Sequence, residues 1–194
     1  PPPPIPNSLD WSYFYDFISP KITGSNLVGL GHSLGGTLLL YHALKHPEIW
    51  KSIVVVEPAL FGPVVNFLYP IVRFMKLEYM THPMIRITKY RRESFDSLDN
   101  VYTRWRQNPS FQFFSDEALK LFIQASIVQS SGSYSLRFPK AWEIEIYRTM
   151  CTLDSFIWRN IHTLKPKLII VAGQTSNTFL SGCRKKIQPF ADEF

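Results

Sequence analysis

The sequence predicts an α/β fold in which a few-stranded parallel sheet with flanking helices is interrupted by a large helical insertion. Three observations predict it. Two short apolar runs, residues 26–31 and 53–56, flank a stretch with the length and propensity of a helix, and parallel strands need such a crossover. The first run ends in Gly31-His32-Ser33-Leu34-Gly35-Gly36, a glycine-rich strand-to-helix turn. A third apolar run, residues 167–172, follows only after residues 59–164, where helical spacing replaces strand runs.

Taken in order, residues 1–7 open with Pro-Pro-Pro-Pro-Ile-Pro, whose prolines have no backbone N–H to donate, and are expected to be a disordered end. The first part of the core is residues 8–58. Ser8-Leu9-Asp10 reads as a helix start, with Trp11, Phe14, Tyr15 and Ile18 on one face and Ser19-Pro20 as the stop. A strand over 26–31, a helix over 37–44 ended by His46-Pro47, and a strand over 50–56 closed by Glu57-Pro58 complete a βαβ unit.

The insertion spans residues 59–164. Phe95, Leu98, Tyr102 and Trp105 recur at helical steps until Asn108-Pro109 breaks the pattern. Ser115-Asp116-Glu117 begins a helix carrying Ala118, Leu121, Phe122 and Ala125 on one face. Residues 130–133 read as a loop, and Trp142, Ile146 and Tyr147 belong to a further helix. The second part of the core, residues 165–194, holds the third strand and a helix over 181–191.

Composition narrows the function. The net charge of +6 is modest and scattered, clustering only at Lys89-Arg91-Arg92 and Arg184-Lys185-Lys186, so no nucleic-acid partner is expected. No apolar run is long enough for a transmembrane segment. The two cysteines, Cys151 and Cys183, fit neither a disulfide scaffold nor a metal site, so no metal and no cofactor are expected. Nothing resembles an export signal, which together with the cysteine usage points to an intracellular compartment.

Gly31-x-Ser33-x-Gly35 carries the chemistry. A serine hydroxyl is a weak nucleophile unless it is presented to a base and a substrate together. A sharp strand-to-helix turn presents it by straining the serine backbone at the sheet's carboxyl edge. Gly31, Gly35 and Gly36 are the structural residues that let strand and helix approach. The Leu34 N–H, opening the helix, is placed to meet an oxyanion.

The segment Asn26-Leu-Val-Gly-Leu-Gly-His-Ser-Leu-Gly-Gly36, followed by His46-Pro47 and Ile53-Val-Val-Val-Glu-Pro58, resembles the nucleophile-elbow region of the α/β-hydrolase superfamily. The insertion and Gly173-Gln-Thr-Ser-Asn-Thr-Phe179 resemble a fungal and bacterial branch that includes a yeast peroxisomal lipase and hydrolases of fungal toxin-biosynthesis clusters. The resemblance implies a partial α/β-hydrolase fold, Ser33 as nucleophile, the Leu34 N–H as oxyanion donor, and residues 59–164 as a helical cap over the pocket. It also raises peroxisomes as a location, although Ala191-Asp-Glu-Phe194 carries no Ser-Lys-Leu-type address.

In most of the superfamily the acid follows the strand corresponding to 167–172, where this sequence offers Asn177 and no carboxylate between Gly173 and Ala191. A second arrangement, as in haloalkane dehalogenases, places it after the preceding strand, where Glu57 stands. Glu57 is therefore the expected acid orienting a histidine, with Asn177 as an alternative orienter. The base is harder to place. His32 is expected to pack at the turn, His42 and His46 to be exposed or capping, and His82 and His162 lie in the insertion. No histidine follows His162, where the superfamily's base belongs, and the strands that precede the elbow in relatives are absent. The sequence thus reads as the middle of an enzyme, with sheet edges prone to self-association.

Two classes of function follow. One is a serine hydrolase, esterase- or lipase-like, acting on a small apolar ester or acyl substrate, the aromatic-rich insertion (Phe61, Phe67, Tyr69, Phe74, Tyr79, Trp105, Phe111, Phe113, Phe114) favouring apolar groups. The other is a truncated, inactive hydrolase that serves as a binding protein or arises from a faulty gene model.

Overall fold

In the computed structural model, which describes residues 4–6, 9–130, 132–176 and 179–194, three strands pair in parallel in the order β1-β2-β6. These are β1 (Leu27–His32), β2 (Trp50–Val56) and β6 (Lys167–Val171); three further strands lie between β2 and β6 in sequence. Register sets Gly29 and Gly31 beside Ile53 and Val55, which in turn sit beside Leu168 and Ile170. That face is buried under helix α2 (Leu34–Lys45), as the strand-helix-strand order requires. The opposite face of β1 carries Val28 and Leu30, 67% and 76% exposed, and β1 is an edge strand.

Helix α2 starts at Leu34, three residues before the sequence reading placed it, because Gly35 and Gly36 continue the helix rather than the turn. It is apolar nearly all round, with Leu38, Leu39, Leu40 and Ala43 buried, and such a helix must be covered on several sides. Helix α1 (Trp11–Ile18) packs beside it, started by Asp10, whose Oδ1 accepts from the Ser12 N–H at 2.7 Å. Ser8, the other residue of the expected start, lies outside the described residues. Helix α9 (Asp154–Asn160) adds Phe156, whose ring lies 4.8 Å from that of Tyr41. The amphipathic helix α3 (Pro63–Phe74) follows β2, and α10 (Ser181–Ile187) follows β6, shorter than the 181–191 expected because a 3-10 turn takes over at Gln188.

The chain divides into two compact units. One comprises Ser8–Leu77 with Thr149–Phe194 and holds the parallel sheet. The other takes Glu78–Arg148. Its helices are α4 (Glu78–Thr81), α5 (Pro83–Tyr90), α6 (Leu98–Arg106), α7 (Asp116–Ser126) and α8 (Lys140–Arg148). Ser97 and Ser115 cap α6 and α7 through their hydroxyls. The purely helical expectation for this region is corrected here. Three short strands, β3 (Ser94–Phe95), β4 (Ile127–Ser130) and β5 (Ser133–Leu136), form an antiparallel sheet of order β3-β5-β4. β4 and β5 pair with Ser130 opposite Ser133, and Gly132 between them has φ +80°; Ser131 lies outside the described residues.

Phe95, Val101, Leu119, Ile123 and Ile127 make this unit's core. Of the aromatics proposed for the insertion, Trp105 and Phe111 stack at 5.4 Å against this core, while Phe113 is 92% exposed. Phe61, Phe67, Tyr69 and Phe74 belong to the sheet-containing unit instead. The first and last residues of the 78–148 stretch are ion-paired: Arg148 Nε donates to Glu78 Oε1 at 2.9 Å, and Glu78 is wholly buried.

Candidate functional site

Ser33 follows β1 directly and adopts φ +53° and ψ −123°, outside the regions open to an unstrained L-residue. A residue held there costs of order 1–3 kcal/mol and persists only where its surroundings enforce it. The enforcement is visible. The Ser33 N–H donates to the Val56 carbonyl at 2.9 Å. The Ser33 carbonyl accepts from the N–H groups of Gly36 at 3.0 Å, Thr37 at 3.2 Å and Ala59 at 3.2 Å. The buried Thr37 Oγ1 donates to the Ala59 carbonyl at 2.7 Å. Residues on both sides of Glu57 are thereby tied to the serine's own backbone.

Two glycines make the close approach possible. A Cβ on Gly31 would lie 2.5 Å from the Gly35 carbonyl oxygen, and one on Gly36 would lie 3.1 Å from the Gly31 oxygen and 3.4 Å from Pro58 Cα. Gly35 itself has nothing within 4 Å of a Cβ, so the third glycine of the motif is not needed for this packing. Leu34 opens α2, and its N–H has no acceptor among the described residues. The helix N-terminus thus carries a free donor beside a half-buried serine whose hydroxyl is unbonded among the described residues.

Glu57 lies at the end of β2 with φ +47°. Its N–H donates to the Val171 carbonyl at 2.9 Å, fastening it to the end of β6. Its carboxylate accepts from the Gly173 N–H through Oε1 and from the Ser176 hydroxyl through Oε2. Ser176 Oγ also accepts from the Phe179 N–H at 3.2 Å. Arg184 holds the same loop from outside, donating to the carbonyls of Gly173 at 2.9 Å and Phe179 at 2.7 Å. The loop after β6 therefore positions a carboxylate contributed by the turn after β2. Sequence reasoning missed Gly173, Ser176 and Arg184; the only hint was the polar run beginning at Gly173. Asn177 lies outside the described residues.

Among the described residues no histidine hydrogen-bonds the Ser33 hydroxyl. His32 does not pack at the turn but is exposed, because strand alternation puts it on the open face of β1. His42 is buried, not exposed or capping. It accepts from Trp50 Nε1–H at 3.1 Å, and burial, reinforced by the nearby His46, lowers its pKa. His46 does cap α2, its N–H reaching the His42 carbonyl at 2.8 Å, and its ring meets the Tyr15 hydroxyl at 3.0 Å. His82 stacks on Tyr147 in the helical unit, and His162 is exposed in a 3-10 turn.

Asp154 is fully buried in the sheet-containing unit. Its Oδ2 accepts from the Phe61 N–H at 2.7 Å, while Oδ1 has no partner among the described residues. Desolvation raises its pKa to about 7 against the partial relief of that hydrogen bond. Burial likewise pushes the Cys151 and Cys183 thiols up. Among the described residues no group of three or more His, Cys, Asp or Glu could hold a metal ion, and no helix is long and apolar enough to cross a membrane.

No family model and no curated protein sequence matches the chain. Solved structures do. A thioesterase domain from the curacin biosynthetic pathway superimposes with a TM-score of 0.71 at 16% identity, covering 95% of this chain and 65% of that one. E-2-(acetamidomethylene)succinate hydrolase gives 0.71 at 13% identity, covering 97% and 65%. A peroxisomal α/β-hydrolase from Saccharomyces cerevisiae gives 0.62 at 17%, covering 86% and 44%. At such identities the likeness establishes the fold: the chain has part of an α/β-hydrolase fold, and it spans between 44% and 65% of the length of these structures.

Proposed function

We propose that the chain carries the nucleophile and acid of a serine hydrolase acting on carboxylic esters or related acyl groups. The observation that carries the reading is the strained Ser33, fixed by hydrogen bonds to residues flanking Glu57 and followed at once by the free N–H of Leu34. Ser33 Oγ attacks the acyl carbonyl and a histidine base takes its proton. The Leu34 N–H donates to the developing oxyanion, and Glu57 orients the histidine and stabilises its charged form. The base is a histidine from outside these 194 residues, in keeping with the partial span of the fold. The branch with the yeast peroxisomal lipase and apolar acyl substrates are further parts of this proposal. So is an intracellular location, supported by two buried, free thiols.

The test is labelling with a fluorophosphonate and mass spectrometry of the adduct. A slow Ser33 adduct, accelerated by added imidazole in place of the absent base and lost in Ser33→Ala, is expected. A folded chain giving no adduct with imidazole present refutes the reading. That outcome favours the second one, an inactive hydrolase that binds ligands or partners, which the unbonded Ser33 hydroxyl supports. We also propose self-association through the edge of β1, where Val28 and Leu30 are exposed. A chain that stays monomeric at all concentrations in sedimentation velocity refutes this.

A further inference from the structure

The helical unit contains a cleft of its own, about 440 Å³, walled entirely by residues of Glu78–Arg148. Its apolar walls include Met84, Ile87, Trp105, Phe111, Phe122 and Phe138. Several of these are left open to solvent, Ile87 at 64% and Phe122 and Phe138 at 42% and 43%. Trp105 and Phe111 present stacked rings, and Phe122 lies 5.7 Å from Trp105 and 5.4 Å from Phe111. A volume of this size is within the range of small-molecule sites, and aromatic walls with a few polar groups are their usual lining.

The charges of the lining are unequal. Its one acid, Glu143, is already engaged: Arg91 donates to both of its oxygens, and Thr88 and Tyr147 donate to Oε1 at 3.3 and 3.1 Å. Its second arginine is not. Arg137 is anchored by its backbone N–H to the Ser126 carbonyl at 2.7 Å and by Nε to the Ala125 carbonyl at 2.8 Å. Its Nη1 and Nη2 have no acceptor among the described residues. A guanidinium fixed by one nitrogen, with two donors to spare beside an aromatic wall, is complementary to a planar carboxylate on an apolar body.

We propose that this cleft binds an aromatic monocarboxylate, its ring against Trp105, Phe111 and Phe122 and its carboxylate on the Arg137 amino groups. The inference stands apart from the Ser33 chemistry, since no residue of the elbow lines the cleft. The test is calorimetric titration of the 194-residue chain with 2-naphthoate and with uncharged 2-naphthamide. Naphthoate is expected to bind one-to-one and at least roughly tenfold more tightly than the amide, the yield of a paired charge. Arg137→Gln should abolish that preference and Arg137→Lys should keep part of it. Ser33→Ala should leave naphthoate binding unchanged. If Arg137→Gln does not fold, as judged by circular dichroism, the amide comparison and the lysine variant still decide. Equal affinity for the two probes, no binding of naphthoate, an indifferent Arg137→Gln, or loss of binding in Ser33→Ala each overturns the proposal.

Discussion

Replacing Gly31 with alanine puts a methyl group 2.5 Å from the Gly35 carbonyl oxygen, 2.7 Å from its carbon and 2.9 Å from Gly36 Cα. All three are backbone atoms, so no rotamer relieves the contact. β1 and the start of α2 must separate by roughly 1 Å, an overpacking that costs about 3 kcal/mol, the upper end of the usual range. For a chain of this size each kcal/mol moves the melting temperature by about 2–4 °C, giving a fall of about 6–12 °C. Gly35→Ala is the internal control. It lies two residues from the serine in the same motif, yet nothing stands within 4 Å of its Cβ. Exchanging a helical glycine for alanine there should stabilise by up to about 1 kcal/mol. Thermal melts of both variants, followed by circular dichroism, read the difference. Equal shifts, or a Gly31→Ala chain melting with the parent, would show that strand and helix do not meet as closely as described, and the elbow's geometry would go with them.

Two further perturbations address the buried charges. Asp154 has a folded pKa of about 7 against 3.8 for the free side chain, so the folded state holds the extra proton between those values. Stability from this group is complete below about pH 4 and is lost as pH rises towards 7, by roughly 4 kcal/mol at about 1.4 kcal/mol per pH unit. Asp154→Asn removes the titration and adds an unpaired donor at the Oδ1 position, a pH-independent cost of about 1–3 kcal/mol. Urea unfolding of parent and variant from pH 4 to 8 should therefore give curves that converge or cross, and parallel curves would refute the assignment. Arg148→Met leaves the wholly buried Glu78 uncompensated and should cost about 3–5 kcal/mol. Adding Glu78→Gln should restore most of it in a double-mutant cycle, and simple additivity would mean the pair is uncoupled.

The parallel sheet was legible because both of its signals are local. Ile53–Val56 is too apolar for anything but a buried strand, and Gly31 and Gly36 announce a close backbone approach. Ser33 was legible for the same reason. The place of Glu57 could be read only from its position after β2, whereas Gly173 and Ser176, which bond its carboxylate, and Arg184, which holds their loop, were hidden. The contacts of Gly173 and Ser176 to Glu57 join residues more than a hundred positions apart through a loop without periodicity. The β4-β5 hairpin was missed because strands of four residues are too short for period-two alternation to emerge beside a longer helical pattern. His42 illustrates a third limit. Its burial depends on Trp50 arriving from the next strand, which nothing in the helix's own sequence reveals.

The contact between Glu78 and Arg148 brings the two ends of the 78–148 segment together. A segment whose termini clasp one another can be excised with a short bridge across the gap. Joining Leu77 to Thr149 by a short glycine-serine bridge, and producing 78–148 alone, would separate the two parts at a joint the chain already closes.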